Sequence, residues 1–292
     1  MSARSRVSVS VRRRGSSGRG RAASAGGGRV LLVDVGNTRV KWALFDGRRL
    51  GRQHAAALAG WNTGHFARLM FGSLEGVHRT LVSSVAGSRV NRMLSDAARH
   101  ANGPRPEFIA SQRRAGGITT AYAEPWRLGV DRFAMAIGAH RLAVGRAVCI
   151  VSIGTALTID LVDARGLHRG GVIVPAPPLM VDSLLSKTNG IRRRAGPRPV
   201  GKALSGDSAR GIFARTTRAA VEQGALLAAA AAIDRGADEA RRAIGRAPLV
   251  LLTGGGAKSV APLIRRSYKA VPDLVLRGLA VLAMEDPPFE DS

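Results

Sequence analysis

Short apolar runs alternate with alanine-rich stretches from residue 29 onward, which is the pattern of an α/β protein. Residues 30–35 form a continuous apolar run broken only by Asp34, and they lead into Gly36, so a buried strand ending in a tight turn is expected. The apolar pattern resumes over 40–45, and the Asp46-Gly47 turn signal predicts a third strand over 48–54. Helices are predicted over 61–71 and 89–101, on either side of a strand over 80–85, and a further helix over 131–142. The second half repeats the opening: an apolar strand over 148–153, a Gly154-Thr155 turn and a returning strand over 157–162. A long alanine-rich helix follows over 217–233, then a strand over 249–252 and the loop Thr253-Gly254-Gly255-Gly256. The repeated strand-turn-strand unit implies two related lobes, residues 30–145 and 146–292, with their turns facing each other across a cleft.

Composition changes this picture at the N-terminus. Of the 45 basic residues five are lysines, so the formal charge of +25 is almost wholly guanidinium and favours anionic partners. Residues 1–29 hold eight arginines and no acid among Ser, Gly, Ala and Val, too little apolar surface to offset chain entropy, and are read as a disordered tail. Such a tail could touch nucleic acid, although a merely solvated arm is the simpler reading. Val7 to Val11 is interrupted by serines, which argues against a secretory signal. The single Cys149 excludes an internal disulfide and a Cys-rich zinc module, and no apolar run reaches the roughly 18 residues a membrane span needs. A soluble, cytoplasmic protein is expected.

Three loops can carry chemistry. In the first, a strand delivers the Asp34 carboxylate to its rim, Gly36 permits a close turn, and Asn37 and Thr38 present donors beside exposed backbone N–H groups. These features suit a phosphate tail, with Asp34 holding Mg²⁺ and Lys41 supplying a point charge. In the second, Gly154, Thr155 and Thr158 could close on the same phosphates from the other lobe. In the third, Gly254 and Gly255 follow a strand and precede a helix, as at a nucleotide contact. Gly256-Ala257-Lys258-Ser259 is not a P-loop, because alanine stands where that motif needs glycine. A dinucleotide fingerprint is also lacking, and six scattered histidines offer no HxxH or HExxH spacing for a transition metal.

The order of these loops resembles the actin-like ATPase and sugar-kinase superfamily, and more closely the type III pantothenate kinases. The resemblance rests on Asp34-Val35-Gly36-Asn37-Thr38-Arg39-Val40-Lys41, Gly129-Val130-Asp131-Arg132, Gly154-Thr155-Ala156 with Thr158 and Asp160, Gly170-Gly171-Val172-Ile173-Val174-Pro175, and Thr253-Gly254-Gly255. It implies two ribonuclease H-like lobes with ATP between them, and phosphorylation of pantothenate as the first step of coenzyme A synthesis. Asp131 would be the catalytic base, although an Asp at a helix start can also satisfy free N–H groups. Tyr122, Gly129, Val130 and Arg132 match positions around pantothenate. Thr188 resembles a threonine that reaches the pocket of a second subunit, which implies a homodimer. Mg²⁺ would accompany ATP. Ser152 stands where some members place an acidic ligand for a monovalent cation, which argues against potassium dependence, although activation by potassium or ammonium is still what the resemblance implies. The competing readings are a kinase of the same fold acting on another hydroxyl, and a nucleic-acid-associated accessory protein.

Overall fold

The computed structural model describes residues 28–72, 75–196 and 212–285. Of the arginine-rich stretch 1–29, only Gly28 and Arg29 fall among them, so the expected disorder of that stretch and its contact with nucleic acid lie outside the described residues.

The first sheet is built around β1 (Arg29–Val35), whose residues from Val30 to Val35 are all buried. It pairs antiparallel with β2 (Arg39–Phe45), which pairs antiparallel with β3 (His54–Ala57). On its other side β1 lies parallel to β4 (Val77–Ser84), followed by β5 (Pro106–Phe108). The sheet order is β3-β2-β1-β4-β5. Helices α1 (Thr63–Met70) and α2 (Ser88–His100) pack on one face, burying Phe66, Met70, Leu94 and Ala97 against Leu31 and Val33.

The third strand departs from expectation: it occupies 54–57, and 48–54 is mainly loop. Asp46 Oδ1 accepts the backbone N–H groups of Arg48 and Arg49 at 2.9 and 2.6 Å, so the side chain consolidates a polar turn. Only a single bridge joins Phe45 to Leu50, and pairing to β2 resumes at His54 with small alanines that carry no alternating signal.

The second sheet repeats the plan. After β6 (Arg114–Ala115) and β7 (Ile118–Thr120), helix α3 (Val130–Ala143) leads to β8 (Val148–Ile153), β9 (Ala156–Val162) and β10 (Leu167–Pro175). Helices α4 (Pro177–Lys187), α5 (Asn189–Ala195) and α6 (Thr217–Ile244) precede β11 (Leu249–Thr253), a short α7 (Ala257–Val260), β12 (Lys269–Ala270) and α8 (Leu274–Met284). The order β12-β11-β8-β9-β10-β7-β6 contains, read inward from β10, the same arrangement of two antiparallel and two parallel neighbours as the first sheet. Strands β6 and β7 join this second sheet, whereas α8 packs with β1 and β4, so elements from both sides of Gly145 cross between the sheets.

Helix α6 runs on to Ile244, past the expected end at 233. Ala237 and Ala240 continue its buried stripe, and Gly236 lets the helix approach Ile159, whose methyl Cδ1 would lie 2.9 Å from a Cβ there.

Between the sheets, α3 and α8 form the central helix pair, and Phe133, Ile137, Leu276 and Leu279 are buried in the core they share. Their approach is set by glycines. A Cβ on Gly278 would stand 1.9 Å from the Ala134 carbonyl oxygen, and one on Gly138 would stand 2.6 Å from that of Leu274. Gly278→Ala is therefore expected to push the helices apart and destabilise the fold by about 2–4 kcal/mol, read as a lowered chemical-denaturation midpoint with little change in slope.

Candidate functional site: a cleft between two strand turns

The β1–β2 turn is closed by the Gly36 N–H donating to the Arg39 carbonyl at 2.9 Å, and strand register sets Asp34 opposite Lys41. At the equivalent turn of the second sheet, Gly154 N–H donates to the Ala156 carbonyl at 2.9 Å, and Ser152 stands beside both Thr158 and Thr253. Gly254 follows β11 at φ 93°, a left-handed conformation, and any Cβ there would lie 2.3 Å from the Ile153 carbonyl oxygen. That turn is held by Gly256 N–H donating to Ile153 O at 2.9 Å. The helix expected after it is the four-residue α7.

The three turns meet around one cavity of about 270 Å³. Its walls include Asp34, Gly36, Asn37, Thr38 and Lys41 from the first sheet, and Gly154, Thr155, Thr158, Gly254 and Gly255 from the second, together with Asp131 and Ser152. An adjoining cavity of about 450 Å³ shares Thr38, Arg39, Gly154, Thr155, Leu179 and Gly255 and is otherwise a mainly apolar slot of Pro177, Pro178, Leu226 and Val260, with Asp182 and Ser259 also in its lining. A polar chamber beside an apolar slot can accept a phosphate chain and the flat base attached to it. The slot residues were not legible as a site, because they come from α4, α6 and α7; the Pro177-Pro178 pair at the start of α4 was the one local signal.

Asp131 sits in the first turn of α3, where its Oδ1 accepts the Arg132 N–H at 2.9 Å, so the helix-start role and placement in the cleft coexist. Gly129 is required before it, since a Cβ there would come 2.8 Å from Asp131 Oδ1. Arg132 is buried and bonds Asp160 along one edge of its guanidinium, Nε to Oδ2 at 3.0 Å and Nη2 to Oδ1 at 2.5 Å. Its Nη1 donates to the Tyr122 hydroxyl at 3.1 Å. The fully buried His168 places Nε2 2.9 Å from Asp160 Oδ1, and its ring lies beside Tyr122. Val130 opens α3, half-buried against the core. Thr188 is not brought to the cleft: its hydroxyl donates to the Leu184 carbonyl at 2.7 Å on the exposed end of α4. His168 escaped the sequence reading: in register it stands opposite Val162, and only its side chain reaches Asp160, so no local spacing announced the contact.

Burial raises the Asp34 carboxyl to about 7, with Lys41 opposing and Asp131 adding to the shift. Burial also raises Asp131, against the pull of the Arg132 N–H and guanidinium. Burial alone would depress Arg132, but its bonds to Asp160 outweigh this and hold it above its ordinary value. The deeply buried Cys149 thiol is pushed up to about 12 by desolvation and is no nucleophile. Two partly desolvated carboxyls and the buried, unpartnered Thr158 hydroxyl form a hard-oxygen donor set of the kind Mg²⁺ prefers.

Paired turns on a repeated β-strand plan, with a cleft between them, define the actin-like ATPase and sugar-kinase fold class. In keeping with this, the solved structure described as a "putative 2-dehydro-3-deoxygalactonokinase protein" from Sinorhizobium meliloti matches at a TM-score of 0.51 and 14% identity, covering 87% of this chain and 98% of that one. The type III pantothenate kinase family model matches residues 30–239. The type III pantothenate kinase of Herminiimonas arsenicoxydans is 38% identical over 266 residues, covering 89% of this chain and 99% of its own length. That of Nitrosococcus oceani is 33% identical over 260 residues, covering 88% and 94%. The chain belongs to the type III pantothenate kinase family.

Two outcomes follow from the electrostatics. A carboxyl whose folded value is raised contributes stability that is present at low pH and lost as pH rises to that value. In metal-free protein, the melting temperature of Asp34→Asn relative to the native chain should therefore increase between about pH 4 and pH 7 and level off above. Asp160→Asn leaves the Arg132 guanidinium buried without its counter-charge and should cost about 3–5 kcal/mol in denaturant unfolding, whereas Arg132→Met combined with Asp160→Leu should recover much of that loss.

Proposed function

We propose that this cleft transfers the terminal phosphoryl group of ATP to the end hydroxyl of pantothenate, giving 4′-phosphopantothenate and ADP at the first step of coenzyme A synthesis. Family membership supports the reaction. The observation that supports the assignment of roles is the presence of Asp131 on the wall of the cavity ringed by the three turns.

In this reading the base occupies the apolar slot and the phosphates run past Thr38, Thr155 and Gly255 toward Lys41. Asp131 accepts the hydroxyl proton as the pantothenate oxygen bonds to the γ-phosphorus and the bond to the bridging oxygen of ADP breaks. Its raised proton affinity suits it to that task more than an ordinary surface carboxylate. The remaining burden is positioning and charge: the side-chain donors of Asn37, Thr38 and Thr155 and the Lys41 ammonium line the chamber that would hold the transferring group. Mg²⁺, held by Asp34 with Thr158 nearby, would neutralise phosphate charge. Arg132, Tyr122 and Gly129, placed next to Asp131 in sequence or through the Arg132 hydrogen bonds, are the residues that would meet the acceptor, with Arg132 fixed by Asp160. Ser152 offers a neutral oxygen in place of an acidic ligand, which would hold a monovalent cation less tightly than a carboxylate.

A homodimer is supported by the apolar groove of about 480 Å³ between α4 and α6, lined by Met180, Leu184, Ile191 and Val221, and by exposed Val172 and Ile173 on β10. None of the helices among the described residues is long and apolar enough to cross a membrane.

A coupled ADP-release assay with ATP, Mg²⁺ and pantothenate tests the reading. Asp131→Asn should lower turnover by about 10²–10⁴-fold while leaving the melting curve nearly intact. Full activity in that variant would remove Asp131 from the base role, and turnover only with a different hydroxyl acceptor would redirect the substrate.

A further inference from the structure

Arg113 has no part in the roles above, yet its guanidinium gathers the backbone of the segment that carries Tyr122. It stands just before β6, and its exposed side chain reaches the residues that follow β7. Nη1 donates to the carbonyls of Thr120 at 3.1 Å and Tyr122 at 2.6 Å, and Nη2 donates to that of Ala123 at 2.7 Å. The backbones also join, because the Thr120 N–H donates to the Arg113 carbonyl at 3.1 Å. Within the turn the Tyr122 N–H donates to Thr120 Oγ1 at 3.2 Å, and the tyrosine hydroxyl accepts from Arg132 Nη1 at 3.1 Å. Two residues earlier, the buried Ser111 hydroxyl donates to the Leu128 carbonyl at 2.8 Å, next to Gly129. Residues 111–113 thus hold both ends of the 120–128 loop that leads into α3 and Asp131.

We propose that Arg113 is a positioning residue for the acceptor side of the cleft, holding Tyr122 where its hydroxyl meets Arg132. The inference rests on the reading of Arg132 and Tyr122 as acceptor contacts and adds to it the device that presets their geometry. Three carbonyls that converge on one side repel one another, and a guanidinium, planar and charged, offers them several N–H donors in a fixed fork. Without it the carbonyls turn to water and the 120–123 turn samples other backbone angles. The acceptor must then order that turn on binding, at a cost in affinity. The three turns around the nucleotide chamber are closed by their own backbone hydrogen bonds, Gly36 to Arg39, Gly154 to Ala156 and Gly256 to Ile153, with no bond from Arg113. Loss of Arg113 therefore acts on the acceptor and spares the nucleotide.

Steady-state kinetics with ATP and pantothenate varied in turn compare the native full-length chain with Arg113→Ala, Arg113→Lys, Tyr122→Phe and the variant carrying both Arg113→Ala and Tyr122→Phe. Arg113→Ala should raise the KM for pantothenate about fivefold or more, by a larger factor than it lowers kcat, and leave the KM for ATP within about twofold. Arg113→Lys should fall between native and Arg113→Ala, since it returns the charge without the fork, and it carries the same test if Arg113→Ala does not fold. Because Arg113 acts through Tyr122, the double variant should raise the pantothenate KM by less than the product of the two single effects. An unchanged pantothenate KM in Arg113→Ala would overturn the positioning role, as would an equal rise of both KM values or fully multiplying effects in the double variant. If the native chain phosphorylated no pantothenate, the reading of the cleft would fail and the inference with it; native turnover with an indifferent Arg113→Ala removes Arg113 alone.

Discussion

The buried pair of Arg132 and Asp160 fixes the site to the fold. Arg132 follows Asp131 directly, and one edge of its guanidinium is held by both oxygens of a carboxylate on β9 of the second sheet. Any movement of α3 that carried Asp131 out of the cleft would have to pull this pair apart inside a core where neither charge meets water. Separating such a pair without replacement is expensive, on the order of several kcal/mol, so the position of the adjacent carboxylate is narrowly defined. The pair also explains a sequence feature that otherwise looks like a simple strand glycine. A Cβ on Gly171 would lie 2.4 Å from Asp160 Oδ1 and 2.7 Å from Arg132 Nη2, so the Gly170-Gly171 step leaves room for the ion pair.

Around this anchor the duplicated sheet does the rest. Both halves place a strand, a tight turn and an antiparallel return at the centre of the same five-strand order, so the two turns end at comparable positions and face one another. The distance between the faces is set by α3 and α8, whose glycines let backbones touch where side chains would hold them apart. Helix α8 comes from the end of the chain yet lies against β1 and β4, which makes the cleft walls one cooperative structure.

Much of this was legible in the sequence because strands buried on both faces read as unbroken apolar runs, as at 30–35 and 148–153, and because turn glycines and hydroxyls announce themselves locally. What was not legible depended on distant partners. The environment of Arg132 is created by Asp160, Tyr122 and His168, which meet only once β9 and β10 are paired and α3 is packed on them. The apolar slot is assembled from three helices in the same way. The segments at 48–57 and 234–244 were misjudged for a different reason: local signals there, a polar turn and an Asp-Arg-Gly step within a helix, were overridden by strand pairing and by packing on Ile159.

The charge balance of the cleft accounts for why such a site favours a polyanion and a hard cation together over either alone. Desolvated Asp34 and Asp131 disfavour an isolated anion, and Lys41 with Arg39 disfavours an isolated cation. A nucleotide polyphosphate accompanied by a divalent ion satisfies both sets at once, leaving little unpaired charge in the chamber. The same balance gives protonation a part in binding, because a carboxyl that holds its proton near neutrality must release it when a cation takes its place. Binding of the metal nucleotide should thus be coupled to the proton on Asp34, on the wall that also carries Asp131, and the geometry that orients the substrate also sets the charge state in which the site operates.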